Sequence, residues 1–277
     1  KDYRYHVALF FSECPQAWSP QDANKTRMAV LSFLGQDNIA PATFNIRLRY
    51  LKSFFSWLVG EGAYTRNPLE GIRTRKAEPR IVQHSAEVLT KLLKLPDKTT
   101  YCGKRDYALL CLSIDTAIRP SEALALELDD VNLKEMAVLI RASIAKTRKS
   151  RTLPFSLETA KALQALIASR PREWETPLLF ANYEGDKLTV SGWRQRLQKN
   201  YAPKLGLKRL SPYDLRHDAA LHFLRNGMHP FALQTIMGHT TLDMTKRYIA
   251  LAESDIREAH ETASPIKKFI GNKKRVR

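Results

Sequence analysis

The chain has 277 residues, 44% of them hydrophobic, enough for one large domain or two modest ones with real cores. Lys and Arg number 45 against 28 acidic residues, and the formal charge of +17 exceeds what solubility requires and suits a polyanionic partner, nucleic acid first. A membrane surface would attract the same charge, but no apolar run approaches the roughly 18 residues of a span and no signal peptide opens the chain, so a soluble intracellular protein with no membrane partner is expected.

Cys14, Cys102 and Cys111 are odd in number and lack metal-ligand spacing, so they read as reduced, buried thiols. The chain opens on Lys1 rather than Met, which leaves room for a preceding segment. The first 70 or so residues carry helical periods and no strand signal. Their clearest helix runs from Ala42 to Gly60, where Phe44, Leu48, Leu51, Phe55 and Leu58 form one apolar stripe. Ile46, Tyr50, Phe54 and Trp57 form a second beside it, with Arg47 among the apolar positions. The remaining narrow sector holds Asn45, Arg49, Lys52 and Ser56. Two readings fit that sector, a basic strip presented to phosphates and an ordinary solvated face.

Between Asn67 and Arg80 the sequence is rich in Pro, Gly and basic residues, including Arg73, Arg75 and Lys76, and it reads as an interdomain connection. A second domain begins near Ser85, a candidate N-cap, with helices expected at 86–94 and 104–117. Strands at 137–142 and 151–155 flank a polar turn, and helices follow at about 156–169, 191–204, 214–226, 230–237, 242–251 and 254–262. Beyond Pro265 the composition is that of a basic tail.

Four segments of the second domain carry chemistry in a fixed order: AIRPSE at 117–122, AKTRKSR at 145–151, SPYDLRH at 211–217, and MGH followed by RY at 237–248. Glu122 lies three residues after Arg119, Lys146 eight before Pro154, and Tyr248 nine after His239. Together they resemble the tyrosine recombinase, or phage integrase, family, in which two arginines, a hairpin lysine, a histidine pair and a tyrosine surround one scissile phosphate. The resemblance extends over nearly the whole chain. It implies a mainly α fold with a small antiparallel β-sheet in the catalytic domain, arranged as a two-domain DNA clamp. The expected divisions are a helical core-binding domain at 1–77, a linker at 78–84, the catalytic domain at 85–265 and the tail at 266–277.

The resemblance implies a role for each matched residue. Arg119 and Arg216 clamp the non-bridging phosphate oxygens with planar forks that stay charged. Lys146 is the general acid for the leaving 5′ oxygen; Lys149, in the same turn, is its rival and otherwise a contact to the DNA backbone. His239 donates a hydrogen bond to the phosphate or caps its helix. Tyr248 attacks phosphorus, forms a 3′-phosphotyrosyl link and frees a 5′ hydroxyl, so religation needs no ATP. Glu122 orients Arg119, while His217, His222 and His229 are left structural. Asn45, Arg49, Lys52, Arg73, Arg75 and Lys149 are the candidate DNA-binding residues. No cofactor and no metal is called for.

Two positions depart from the family pattern. Ala117 replaces a common glycine, and Tyr213 stands where histidine is usual. A phenol, with an ordinary pKa of about 10, donates at neutral pH and rarely accepts, so Tyr213 is expected as a donor at the phosphate. The base is then water, His239 or a phenolate favoured by the cations.

The expected partners are double-stranded DNA recombination sites and further copies of the chain in a synaptic tetramer, joined through the C-terminal segment. The expected setting is the cytoplasm, on the bacterial nucleoid while acting, and the expected biology is an integrase or transposase of a mobile element. A type IB-like topoisomerase would use similar chemistry, but SDIREAHE, with Ile256 and Ala259 on one helical face, resembles the segment recombinases lend to a neighbour. The residues also leave open a catalytically dead DNA-binding module and a metal-dependent nuclease built on Glu122, Glu127, Asp129 and Asp130.

Overall fold

Helices α1 (Asp2–Glu13), α2 (Ala23–Leu34) and α3 (Pro41–Gly60) build the first of two units into which the computed structural model divides, Lys1–Arg80 and Ile81–Arg277. The described residues are 2–36, 39–76, 82–252, 260 and 264–266. Local chemistry starts the helices. Asp22 accepts from the backbone N–H groups of Asn24 and Lys25, both at 3.0 Å, and Pro41 opens α3 where its missing N–H costs nothing. The stripe of Phe44, Leu48, Leu51, Phe55 and Leu58 is buried against Phe10, Phe33 and Leu34. Each such side chain contributes about 1.5–3 kcal/mol. The second stripe lies at the margin of this core: Phe54 packs against it, while Ile46 is 39% and Trp57 56% exposed. Arg47 lies with its guanidinium 4.5 Å from the Phe33 ring centroid, a cation–π contact that accounts for a cation among apolar positions.

The polar sector of α3 turns inward on its own chain. Asn45 donates to the Arg75 carbonyl and accepts from the Arg75 N–H, each at 2.8 Å. Lys52 Nζ donates to the Ile72 carbonyl at 2.6 Å, and Asn67 donates to Ser56 Oγ at 2.8 Å. The stretch from Asn67 to Arg75, part of the expected interdomain connection, is docked along α3.

The second unit contains α4 (Ala86–Lys94), α5 (Tyr101–Thr116), the short α6 (Pro120–Ala123), strands β1 (Val131–Asn132), β2 (Ala137–Ile140) and β3 (Arg151–Pro154), α7 (Leu157–Ala168), α8 (Val190–Arg196), α9 (Pro212–Arg225), α10 (Pro230–Met237) and α11 (Asp243–Ala252). The strands form an antiparallel sheet in the order β1-β2-β3, with Ile140 opposite Arg151 at the mouth of the hairpin. The mainly α fold with a small antiparallel sheet is thus present. Ser85 caps α4 and Ser156 caps α7. The helix expected at 191–204 stops at Arg196, continues as a wide turn over Leu197–Tyr201 and tightens at Pro203–Leu205. Pro203 has no N–H to continue the α-helical ladder. The core runs through Leu92, Leu109, Leu112, Leu163, Phe180 and Trp193.

The helix expected at 254–262 and the basic tail from Lys267 onward lie outside the described residues. Among the described residues no helix is long and apolar enough to cross a membrane.

Candidate active site

Helix α9 begins with a reciprocal cap: Asp214 N–H donates to Ser211 Oγ, and Ser211 N–H donates back to the Asp214 carboxylate at 2.8 Å. This starts the helix two residues before the expected 214. Tyr213 then sits in the first turn, with Arg216 and His217 three and four residues on, along one face. Helix α5 ends at Ala117, whose φ of 49° and ψ of 28° are left-handed. Such a backbone is what the usual glycine accommodates, and a non-glycine residue there costs about 1–2 kcal/mol. The turn carries the next residues into Arg119, the N-cap position of α6.

The C-terminal end of α10 gathers the arginines. Arg151 Nε donates to the Ile236 carbonyl at 3.1 Å, Arg216 Nη2 to Met237 at 2.9 Å, and Arg119 Nη2 to Gly238 at 2.7 Å. Three successive carbonyls at a helix end, where intrahelical partners run out and the dipole is negative, thus hold three guanidiniums. Gly238 itself is left-handed at φ 60°, and a Cβ there would sit 3.1 Å from Arg119 Nη1 and 3.2 Å from the Arg151 guanidinium. Arg216 Nη1 also donates to the Ala117 carbonyl at 2.5 Å, tying α9 to the α5 turn.

Glu122, fully buried, receives Arg119 Nη1 at 3.1 Å and Arg151 Nη2 at 2.6 Å. Burial raises the Glu122 carboxyl, but the hydrogen bond and charge of Arg151, then Arg119, outweigh it and hold the group below its ordinary range. One carboxylate offsets only part of the charge of three arginines. Burial first, and the Arg119 charge second, push the Arg216 guanidinium down to about 10, so it remains charged at neutral pH while stripped of water. A phosphate between Arg119 and Arg216 would relieve both effects with charge-assisted hydrogen bonds.

Arg119, Lys146, Tyr213, Arg216, His239 and Tyr248 line one cavity, and His217 lines it with them. Lys146 is exposed on the β2–β3 turn. Lys149 lines an adjoining depression with Arg151, Phe231 and Gln234, which shares Thr147, Gly238, His239 and Thr240 with the first. Tyr213 is 49% exposed. His239 has Nδ1 2.9 Å from Thr245 Oγ1 and Nε2 3.3 Å from Arg216 Nη2. Tyr248, 3% exposed, packs with Ala219, Ala220, Leu233 and Met237, and its hydroxyl lies 2.5 Å from His217 Nδ1. Asn45, Arg49, Lys52, Arg73 and Arg75 belong to the first unit; Asn45 and Lys52 are engaged by the backbone of the 67–75 stretch, and Arg49 and Arg73 are exposed.

Two residues at the site were not anticipated. His217, expected to be structural, touches the Tyr248 hydroxyl; its place four residues after Tyr213 was the signal that put it on the same face. Arg151 closes the AKTRKSR motif without an expected role, and nothing in its spacing shows that it reaches Glu122. Three of the four carboxylates weighed for a nuclease are engaged elsewhere, Glu122 by the arginines and Glu127 and Asp130 by Arg141, while Asp129 is exposed.

The family model described as the phage integrase family matches residues 84–255. A tyrosine recombinase XerC of Roseiflexus castenholzii is 33% identical over 86% of this chain and 77% of its own length. A tyrosine recombinase XerC of Herpetosiphon aurantiacus is 34% identical over 80% of this chain and 73% of its own. Among solved structures, the Tn1549 transposon integrase in complex with transposon right-end DNA has a TM-score of 0.69 at 20% identity, covering 95% of this chain and 94% of that one. A lambda integrase dimer bound to a core site has a TM-score of 0.67 at 12% identity, covering 89% and 70%.

Proposed function

The chain belongs to the phage integrase family and is a tyrosine-type site-specific DNA recombinase, and on that premise we propose that it cuts and rejoins double-stranded DNA through a 3′-phosphotyrosyl link to Tyr248. The observation that supports this reading is the convergence of the Tyr248 hydroxyl, Arg119, Arg216, Lys146 and His239 on one cavity.

In this reading Arg119 and Arg216 bind the non-bridging oxygens of the scissile phosphate. Their forks are already immobilised by the α10 carbonyls and Glu122, so little reorganisation is needed as charge builds in the transition state. His239 orients Arg216 through Nε2, with its ring nearly parallel to that of Tyr248 and the centroids 6.3 Å apart. The Tyr248 oxygen attacks phosphorus, the bond to the 5′ oxygen breaks, and Lys146 supplies that oxygen with a proton. Tyr213 donates a hydrogen bond at the phosphate. Glu122 and Arg151 position Arg119 without touching DNA.

The chain is divided for this task into a core-binding domain at 1–77, a linker at 78–84, a catalytic domain at 85–265 and a basic tail. Arg49, Arg73, Arg75 and Lys149 contact the DNA backbone, and a tetramer forms on paired sites through residues 254–262. The reading extends to an integrase or transposase of a mobile element. Incubation with fragmented DNA, denaturation and recovery of covalent complexes provide the test. A denaturant-resistant adduct lost in Tyr248→Phe is expected, and an undiminished adduct in that variant would overturn the nucleophile. Sequencing the trapped DNA tests the biology: element ends support it, whereas a single chromosomal locus would point to chromosome resolution.

A further inference from the structure

We infer that His217 is the proton acceptor for Tyr248 in strand cleavage and the donor that returns the proton on rejoining. The inference rests on Tyr248 being the nucleophile. Nδ1 of His217 lies 2.5 Å from the Tyr248 hydroxyl across 31 residues of chain, with the two rings 5.6 Å apart and tilted by 34°.

The other groups around the cavity are occupied by different tasks. His239 places Nε2 against an Arg216 N–H, which makes that nitrogen an acceptor, and its Nδ1–H then donates to Thr245 Oγ1. Tyr213 presents a phenolic hydroxyl, whose oxygen is a far weaker base than an imidazole nitrogen. Lys146 is on the leaving-group side as an acid. An imidazole, whose ordinary pKa is about 6.5, has an acceptor nitrogen available at neutral pH and suits the exchange. Helix α9 carries His217 beside Arg216, so one element delivers both the phosphate clamp and the base. Asp218, the next residue, is committed to His84 through both carboxylate oxygens, which fixes this turn of α9 against the start of the second unit.

The proton count closes. With Nε2 protonated, His217 Nδ1 takes the phenolic proton as the Tyr248 oxygen forms its bond to phosphorus. The phosphorus–O5′ bond breaks with its electron pair on O5′, and Lys146 protonates that oxygen. The result is a 3′-phosphotyrosine, a 5′ hydroxyl, an imidazolium and a neutral amine. Rejoining reverses each transfer: Lys146 takes the proton of the incoming 5′ hydroxyl and His217 reprotonates Tyr248.

The duplex recovered from trapped complexes, synthesised with either oxygen or sulfur at the 5′ bridging position of the scissile phosphate, separates base from acid, because a thiolate leaves without needing a proton. Single-turnover cleavage by His217→Gln and His217→Asn is compared with the parent, Lys146→Ala and Tyr248→Phe, on samples matched in melting temperature and in affinity for the duplex. The expected result is a loss of about a hundredfold to ten-thousandfold in the His217 variants on both substrates, while Lys146→Ala recovers on sulfur. The glutamine and asparagine side chains keep a hydrogen-bonding group near Tyr248, so a role limited to positioning would leave one of them within a few-fold of the parent and would overturn the inference. Recovery of the His217 variants on sulfur would make His217 an acid and also overturn it. Cleavage by Tyr248→Phe would instead remove the nucleophile assignment, an outcome separable from both.

Discussion

Arg151 and Glu122 lie 29 residues apart and meet through two hydrogen bonds, Nη2 to Oε2 at 2.6 Å and Nη1 to Oε1 at 3.3 Å, with Glu122 shared by Arg119. Arg151 thus works at one remove from the phosphate. Arg151→Ala leaves a buried carboxylate with one cation in place of two, which should cost about 3 kcal/mol in urea unfolding and slow cleavage by loosening Arg119. The Glu122 carboxyl is held below its ordinary value of 4.5, so its stabilisation is present above that pH and is lost as pH falls through the lower folded value. Parent and variant should therefore converge in stability under strongly acid conditions. Equal stability of the two at neutral pH would refute this account.

Gly238→Ala places a methyl group where Arg119 and Arg151 already sit, in a left-handed backbone. Gly227→Ala is the matched control, since Gly227 has φ 88° and open space around its Cβ position. Both should lose about 1–2 kcal/mol from backbone strain, but only Gly238→Ala should also lose cleavage activity, by tenfold or more. Chemical denaturation and cleavage assays on the two variants check the difference.

Lys146 and Lys149 share a turn but line adjoining depressions. Lys146→Ala should cut the cleavage rate by about a hundredfold to ten-thousandfold with DNA affinity little changed. Lys149→Ala should keep its cleavage rate and bind DNA less tightly, with a salt slope shallower by about 1. The reverse pattern would exchange their roles.

Tyr213→Phe removes the hydroxyl of a half-exposed residue that lines the cavity and should slow cleavage by up to about a hundredfold to a thousandfold with affinity unchanged. Tyr213→His should retain substantial activity. A parental rate for Tyr213→Phe on a substrate that traps the cut strand would deny the hydroxyl a catalytic part.

His84 is buried with Nδ1 2.7 Å from Asp218. The hydrogen bond that the imidazole donates to the Asp218 carboxylate is the main cause that raises it above its ordinary 6.5, with burial opposing it. A raised histidine contributes stability in full below about 6.5, and that contribution fades as pH climbs through the higher folded value. His84→Gln should then be less stable than the parent by about 1.5–3 kcal/mol below pH 6.5, and the gap should narrow toward alkaline pH. A gap constant across that range, measured by urea titration, would contradict the assignment.

Much of this protein was legible as local pattern. The Phe44 to Leu58 stripe, the caps at Ser85 and Ser156, the hairpin around Lys146 and the helix ending at Gly238 depend on neighbours within a few residues, and the structure contains each of them. The catalytic positions matched through the family resemblance lie around one cavity. Periodicity was less informative about what a polar face touches. Asn45 and Lys52 had the chemistry of phosphate ligands, yet they bind the backbone of their own chain, because the 67–75 stretch had carbonyls and an N–H to satisfy.

The amino-acid sequence by itself determined the helices, the hairpin, the excess of positive charge and the set of residue types that phosphoryl transfer requires. Only the tertiary structure decided which of them meet. Arg151 finds Glu122 because the hairpin register places it at the sheet edge facing α6, and Arg119, Arg151 and Arg216 share one helix end because packing brings three elements to α10. In the sequence His217 differs from His222 on the same helix only by its place four residues after Tyr213. It reaches Tyr248 because α11 packs across α9 at that turn, and a contact between residues 31 apart depends on the fold as a whole, not on the spacing of either one.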